Sequence, residues 1–166
     1  LNSDGDGSSL TGIGVTEADQ WRVNASSTIS ATTAVTANWE RVDTDGFGQL
    51  GTGMSESSGI FTFPSTGIYL VMWQTMAYGN GGVRSYIGNQ ISTTTNDTDY
   101  SEATAGYNSV SASDYYAGTL TTFIFDVTST STHKIKFYQI ANASSIFEGT
   151  TAQSWQVATF IRLGNT

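Results

Sequence analysis

Short apolar runs alternate along this chain with clusters of Gly, Asn, Asp, Ser and Thr. The runs fall at 19–25, 36–42, 59–63, 67–78, 83–91, 100–107, 115–127, 133–141 and 154–163. Their length and their alternation of side-chain character predict strands. Turn clusters such as Asp43-Thr44-Asp45-Gly46, Gly79-Asn80-Gly81-Gly82 and Ser129-Thr130-Ser131-Thr132 separate them. No fixed-period repeat is present, which argues against a solenoid or propeller. The most informative stretch runs from Gly59 to Trp73 and contains Pro64, the only proline. Proline cannot donate to a sheet ladder and Gly67 permits a tight turn, so the stretch reads strand, turn, strand.

The strand at 67–78 is apolar on both faces, although nothing around it has helical periodicity. A sandwich core covers one face, and the other then needs a further subunit. Period-2 reading puts Tyr69, Val71 and Trp73 on one face and Leu70, Met72 and Gln74 on the other. At 115–127, Phe123, Phe125 and Val127 oppose Tyr116, Leu120, Thr122 and Ile124. At 154–163, Trp155, Val157, Ile161 and Leu163 oppose Gln156, Ala158, Phe160 and Arg162. The first face of each strand is assigned to the core. The second is a sheet surface too apolar for water, the pattern of an oligomer interface.

Composition agrees with strands. The 166 residues include 26 Thr, 21 Ser, 18 Gly and 20 aromatic residues against 20 charged ones, a balance that favours strands and turns over helices. The length suits one domain, and no disulfide is needed to stabilise a core of this size. Cysteine is absent, which removes thiol catalysis and thiolate metal sites. The net charge of −8, with six scattered basic residues, argues against nucleic-acid and anionic-membrane partners, which require clustered Lys or Arg. No run reaches the length of a membrane helix. The chain begins at Leu1, and the expectation is a C-terminal piece of a longer polypeptide.

The segment Gly59-Ile60-Phe61-Thr62-Phe63-Pro64-Ser65-Thr66-Gly67-Ile68-Tyr69 resembles the Gly-x-Phe-x-x-Pro-x-x-Gly-x-Tyr pattern of the C1q/TNF-type jelly roll. The resemblance extends over about 19–164, with 115–120 similar to the start of strand F, 133–140 to strand G and 155–163 to strand H. It implies an all-β, antiparallel two-sheet sandwich that forms a homotrimer, with strands C, F and H reaching the threefold axis. The positions it matches to the axis are Met72, Tyr116 and Ala158 or Phe160, and together with the second faces read above the expected trimer interface is Leu70, Met72, Gln74, Tyr116, Leu120, Ile124, Ala158 and Phe160. The segment Gly5-Asp6-Gly7-Ser8-Ser9-Leu10-Thr11-Gly12, rich in Gly, Ser and Asp, is similar to segments of fibre proteins of phages, notably cyanophages. Residues 1–17 are therefore expected to be the end of a fibre shaft or a linker, and 18–166 the jelly-roll domain.

The resemblance implies a phage virion fibre or appendage on the outside of the particle. Its tip would cap three shaft chains, meet other virion proteins through the shaft, and bind a host-surface receptor, a glycan being the expected ligand. A purely structural trimerisation or capsid-decoration module and a glycan-degrading enzyme are the alternatives. In an antiparallel sandwich successive turns alternate between the two ends, so loops near 28–58, 77–83, 108–114 and 141–153 are expected to gather opposite the shaft. They carry Tyr78, Asn80, Asn108, Asp114, Asn142, Ile146 and Phe147, aromatic and amide groups suited to sugars.

Catalysis is not expected. His133 is the only histidine, it reads as a surface residue at a turn, and no Gly-x-Ser-x-Gly elbow accompanies it. Paired carboxylates serve glycoside hydrolysis, but every acid except Asp126 falls in or beside predicted turns, the N-terminal segment or polar strand ends. Asn2-Ser3-Asp4-Gly5-Asp6-Gly7 and Asp43-Thr44-Asp45-Gly46 imitate the opening of a calcium loop, but Ile13 and Thr52 stand where its bidentate Glu belongs. No cofactor is expected, with calcium at these loops or at Asp97 and Asp99 as the alternative.

Overall fold

The computed structural model describes residues 14–166, so the shaft-like motif and the first calcium-like loop lie outside the described residues. Thirteen strands follow in order: β1 (Ala18–Val23), β2 (Ala25–Ile29), β3 (Thr33–Ala34), β4 (Trp39–Arg41), β5 (Ser55–Ser57), β6 (Ile60–Thr62), β7 (Gly67–Gly79), β8 (Arg84–Thr94), β9 (Ser101–Val110), β10 (Tyr116–Val127), β11 (Lys134–Ala141), β12 (Ser145–Thr150) and β13 (Val157–Gly164). The nine strands read from the sequence are all present, with ends within three residues of those expected. The strands β2, β3, β5 and β12 are additional; three of them are short Ser/Thr-rich segments that alternate poorly and are held by their partners.

Two antiparallel sheets face each other. One has the order β5-β6-β11-β8-β9, with β3 also on β11. The other is organised by the long strand β7, which pairs with β10 along nearly its whole length. Its opposite edge is shared: β13 pairs with 68–74 and β12 with 77–79. Through β13 the sheet continues to β1 and β4, and through β12 to β2. The chain therefore leaves this sheet after Thr150 and returns at Val157. The end where β1 begins is called the near end here, and the other the far end.

Gly67, with φ +148°, starts β7 where a Cβ would collide with the Arg162 side chain and the Gly164 carbonyl. This is the steric reason for glycine in the motif. The core between the sheets is aromatic. The Phe61 ring meets Trp39 at 4.8 Å, Phe137 at 5.4 Å, Phe160 at 5.4 Å and Trp21 at 5.6 Å between centroids. Trp73 is fully buried and donates Nε1–H to the Tyr138 carbonyl of the facing sheet at 3.0 Å. Asn89 Nδ2 returns the link, donating to the Trp73 carbonyl at 2.7 Å and the Thr119 carbonyl at 3.0 Å. A smaller cluster at the far end joins Ile29, Ala77, Ile87, Val110, Ala117, Ala141 and Phe147.

Two expectations about faces fail. In β13 the core side is Ala158 and Phe160, which are fully buried, while Ile161 is half-buried on the outside and Leu163 is exposed. The apolar character of 154–163 is nearly equal on both faces, so alternation alone does not fix its phase. Ala158 and Phe160 are thus core residues, not trimer-interface residues. His133 is also buried, 8% exposed. Its ring stacks on Phe125 at 5.7 Å and sits between the hydroxyls of Thr128 and Thr132, each 3.2 Å away.

The near end is tied by buried charge. Asp19 accepts hydrogen bonds from the Trp21 indole (2.9 Å), the Met54 amide (2.8 Å) and the Arg41 guanidinium (3.1 Å). Arg22, on the outward side of β1 yet fully buried, pairs with Glu40 at 2.8 Å and with Asp43, and donates to Thr44 Oγ1 at 2.7 Å. Burial works against its charge, but the two carboxylates outweigh it and raise its pKa above that of a free guanidinium. This explains the acids of Asp43-Thr44-Asp45-Gly46: Asp43 answers a buried cation. No group of three or more potential metal ligands occurs among the described residues.

Candidate functional site

Strand register assembles the outer face of the seven-stranded sheet row by row. From the near end the rows are Ile124–Leu70–Ile161–Ala18, then Thr122–Met72–Thr159–Gln20, then Leu120–Gln74–Val157–Arg22. At the far end follows Tyr116–Tyr78–Ile146. Cross-strand neighbours on one face lie close enough to form a continuous surface, and apolar groups dominate here. Tyr116 and Leu120 are each 58% exposed and Ile124 is 53% exposed. These are large apolar side chains standing together on a regular strand. A patch of this kind is characteristic of a contact surface rather than of a solvated one.

The sequence reading puts Tyr78 and Ile146 in a receptor-binding loop. They belong to this face instead, because β7 runs on to Gly79 and residues 145–150 form β12 rather than a loop. Tyr78 packs edge-on against Tyr116 at 5.1 Å. The Tyr116 hydroxyl donates to Glu148 Oε1 at 3.3 Å, which gives the apolar face a polar margin. Phe147 points the other way and is completely buried in the far-end cluster, so it is a core residue and not a receptor contact.

The far end gathers the turns 80–83, 111–115 and 142–144, as alternation of turns requires. The loop expected from 28 to 58 does not stay there. Only 30–32 reach the far end, because β4 runs back antiparallel to β1 and delivers 43–54 to the near end, where Leu50 bridges Ala18. Asn80, Asn108, Asp114 and Asn142 are exposed at or near the far end. Asp114 has a left-handed backbone, φ +63°. Asn108 Nδ2 donates to the Gly118 carbonyl at 2.9 Å. Arg84 holds the end rigid, donating to the carbonyls of Asn80 (2.8 Å), Val83 (2.7 Å) and Ser144.

The aromatic groups of this end are ones the loop reading misses. Tyr86 and Tyr107 lie edge-to-face at 5.8 Å on neighbouring strands β8 and β9, and both are exposed, as are Val83 and Tyr115. The Tyr107–Asn108 and Val83–Tyr86 segments alternate weakly, so only pairing shows that the two rings share one surface.

No protein-family model and no curated protein matches the chain. Solved structures do. Murine APRIL at pH 5.0 superposes with a TM-score of 0.63 at 18% identity, over 89% of this chain and 98% of APRIL. The Eiger TNF of S. frugiperda gives 0.68 at 12% identity, over 92% and 95%. The PRD1 vertex protein P5 gives 0.52 at 15% identity, over 92% and 99%. At such identities the likeness is one of fold, and the fold is the TNF-like jelly roll.

Proposed function

We propose that this domain is a homotrimeric module on the surface of a phage virion, at the tip of a fibre or related appendage, that caps three chains and binds a host-surface receptor. The observation that carries the reading is the apolar outer face built on Leu70, Met72, Tyr116, Leu120 and Ile124, which no other strand among the described residues covers. A face that meets a different patch of the next copy closes into a ring when the rotation permits, and the C1q/TNF resemblance makes that ring three. The fold likeness to a PRD1 vertex protein supports a place on a virion. It equally favours the second reading, a structural cap without a receptor.

The receptor surface belongs to the far end, away from the point where the chain comes in at β1. Tyr86 and Tyr107 supply ring faces and Asn80, Asn108 and Asn142 supply amides, a composition suited to glycans. Threefold display makes weak sites sufficient, since linked binding raises avidity by about 10²–10⁴. We take the domain to be non-catalytic, its single histidine being held in the core.

Gel filtration with light scattering should give about 53 kDa, three times the 17.7 kDa chain; a stable monomer sinks the trimer. Purified protein should compete with the parent phage for host cells, and Tyr86→Ala with Tyr107→Ala should remain trimeric yet compete poorly. Undiminished competition by that double variant would remove the far end as receptor surface. No competition by the wild type would leave the structural cap.

A further inference from the structure

The excursion of the chain between Thr150 and Val157 builds a cleft. Residues 152–154 form one wall and the loop 42–48 the other, over a floor of β1 and β13. The cleft is open to solvent and has a volume of about 620 Å³, within the ~300–1,000 Å³ of small-molecule sites. The wall is preorganised. Buried Arg22 holds Thr44 and Asp43, and the Phe47 amide closes the turn on the Thr44 carbonyl at 2.9 Å. The half-buried Phe47 is thereby fixed at the rim. On the floor, Gln20 Nε2 donates to Thr159 Oγ1 at 3.0 Å, and among the described residues the Gln20 carbonyl oxygen and the Thr159 hydroxyl proton have no partner. Among the described residues no hydrogen bond engages the side chain of Asp45, Gln153 or Ser154.

We propose that this cleft binds a short neutral saccharide. One aromatic ring offers a face for the C–H side of a pyranose, and amides and hydroxyls offer both donors and acceptors for its hydroxyl groups. The lining contains no Lys, Arg or His, and its carboxylates belong to Asp19, whose oxygens are consumed within the fold, and to Asp45. An anionic sugar would meet the Asp45 charge with no cation to answer it, whereas a neutral one meets only dipoles. The floor residues Ile161 and Thr159 adjoin Leu70 and Met72 in register, so the site occupies the β1–β13 side of the outer face, on the other side of β7 from Leu120 and Ile124. The cleft lies toward the near end, apart from the far-end surface proposed for the receptor, so the inference goes beyond that reading and does not rest on it.

The test is saturation-transfer NMR of the purified protein with neutral glucose-, galactose- and mannose-based trisaccharides and a sialylated counterpart, with affinities from titration. The expected result is binding of at least one neutral trisaccharide below about 10 mM, with transfer strongest at ring C–H protons. Phe47→Ala should weaken it by up to about tenfold, and Asp45→Asn should leave the neutral sugar bound while admitting the acidic one. No neutral sugar bound, preference for the sialylated ligand, or an indifferent Phe47→Ala each overturns the proposal. So does a change of oligomeric state in Phe47→Ala, which would make the cleft a socket for a second copy. Light scattering and cell competition by the wild type do not depend on this cleft, so the receptor reading stands or falls separately.

Discussion

Replacing Leu120 and Ile124 together by Ala isolates the outer face from the core. The two side chains are 58% and 53% exposed in one chain, so roughly half of each remains to be covered by a partner. Full burial of such a side chain contributes ~1.5–3 kcal/mol, which leaves about 0.8–1.5 kcal/mol per residue to the interface. Two residues in three copies, less what the alanine methyl retains, give about 3–7 kcal/mol per trimer. That weakens three-chain association by about 10²–10⁵-fold. Because the trimer constant scales with the square of concentration, the midpoint of dissociation moves by the square root, about 10–300-fold in protein concentration. The single chain loses only the half of each side chain it already buries, a cost of roughly 1–2 kcal/mol per residue, which a domain with ~5–15 kcal/mol of stability tolerates. A dilution series followed by light scattering or mass photometry, with circular dichroism confirming strands, reads both quantities. An unchanged midpoint in the folded double variant would show that this face is not where the copies meet.

Phe160→Ala behaves oppositely, because Phe160 packs against Phe61, Phe63 and Phe137 inside the sandwich. It should cost about 3–5 kcal/mol of fold stability in urea titration, largely independent of protein concentration; a purely concentration-dependent loss would return Phe160 to the interface. His133→Ala empties a stacked site between two threonines and should lower stability by about 1–3 kcal/mol, against an undetectable change for a surface histidine. Burial raises the Tyr69 phenol above its ordinary pKa of 10.0, so the folded state holds its proton longer than the unfolded chain. The stability this represents is present below pH ~10 and falls as pH rises further. Tyr69→Phe should flatten that alkaline decline, and an equally steep decline would place its cause in another group.

The strands that alternate cleanly are legible in the order of residues alone. Tyr69, Val71 and Trp73 against Leu70, Met72 and Gln74 need nothing beyond period two and the Pro64–Gly67 turn. What stays hidden depends on pairing. The phase of β13 is ambiguous because Val157, Ile161 and Leu163 are as apolar as Ala158 and Phe160. Phe147 reads as a loop ring because Ser144-Ser145 and Gly149-Thr150-Thr151 look like turn punctuation, although the partners β7 and β2 draw the segment into a strand. The cleft has no linear signature at all, since its walls are about a hundred residues apart and meet only through the break between β12 and β13. Asp43 looks like a calcium ligand because the sequence does not disclose the buried Arg22 that it neutralises.

The shared edge of β7 has a consequence for how the chain acquires its structure in time. One strand near the middle of the sequence is zipped along one side by β10 and along the other by β12 and β13, and β13 in turn supports β1. The first strand of the domain thus has its principal partner among the last residues, and the seven-stranded sheet cannot close until β13 is made. Non-local pairing of this kind is slow and leaves strand edges open until late. A nascent chain emerging from the ribosome should remain protease-sensitive until β13 is free, then close in a single cooperative step. Assembly of copies has to wait for that step, because Leu70 and Met72 share a surface with Ile161 only once β13 has docked.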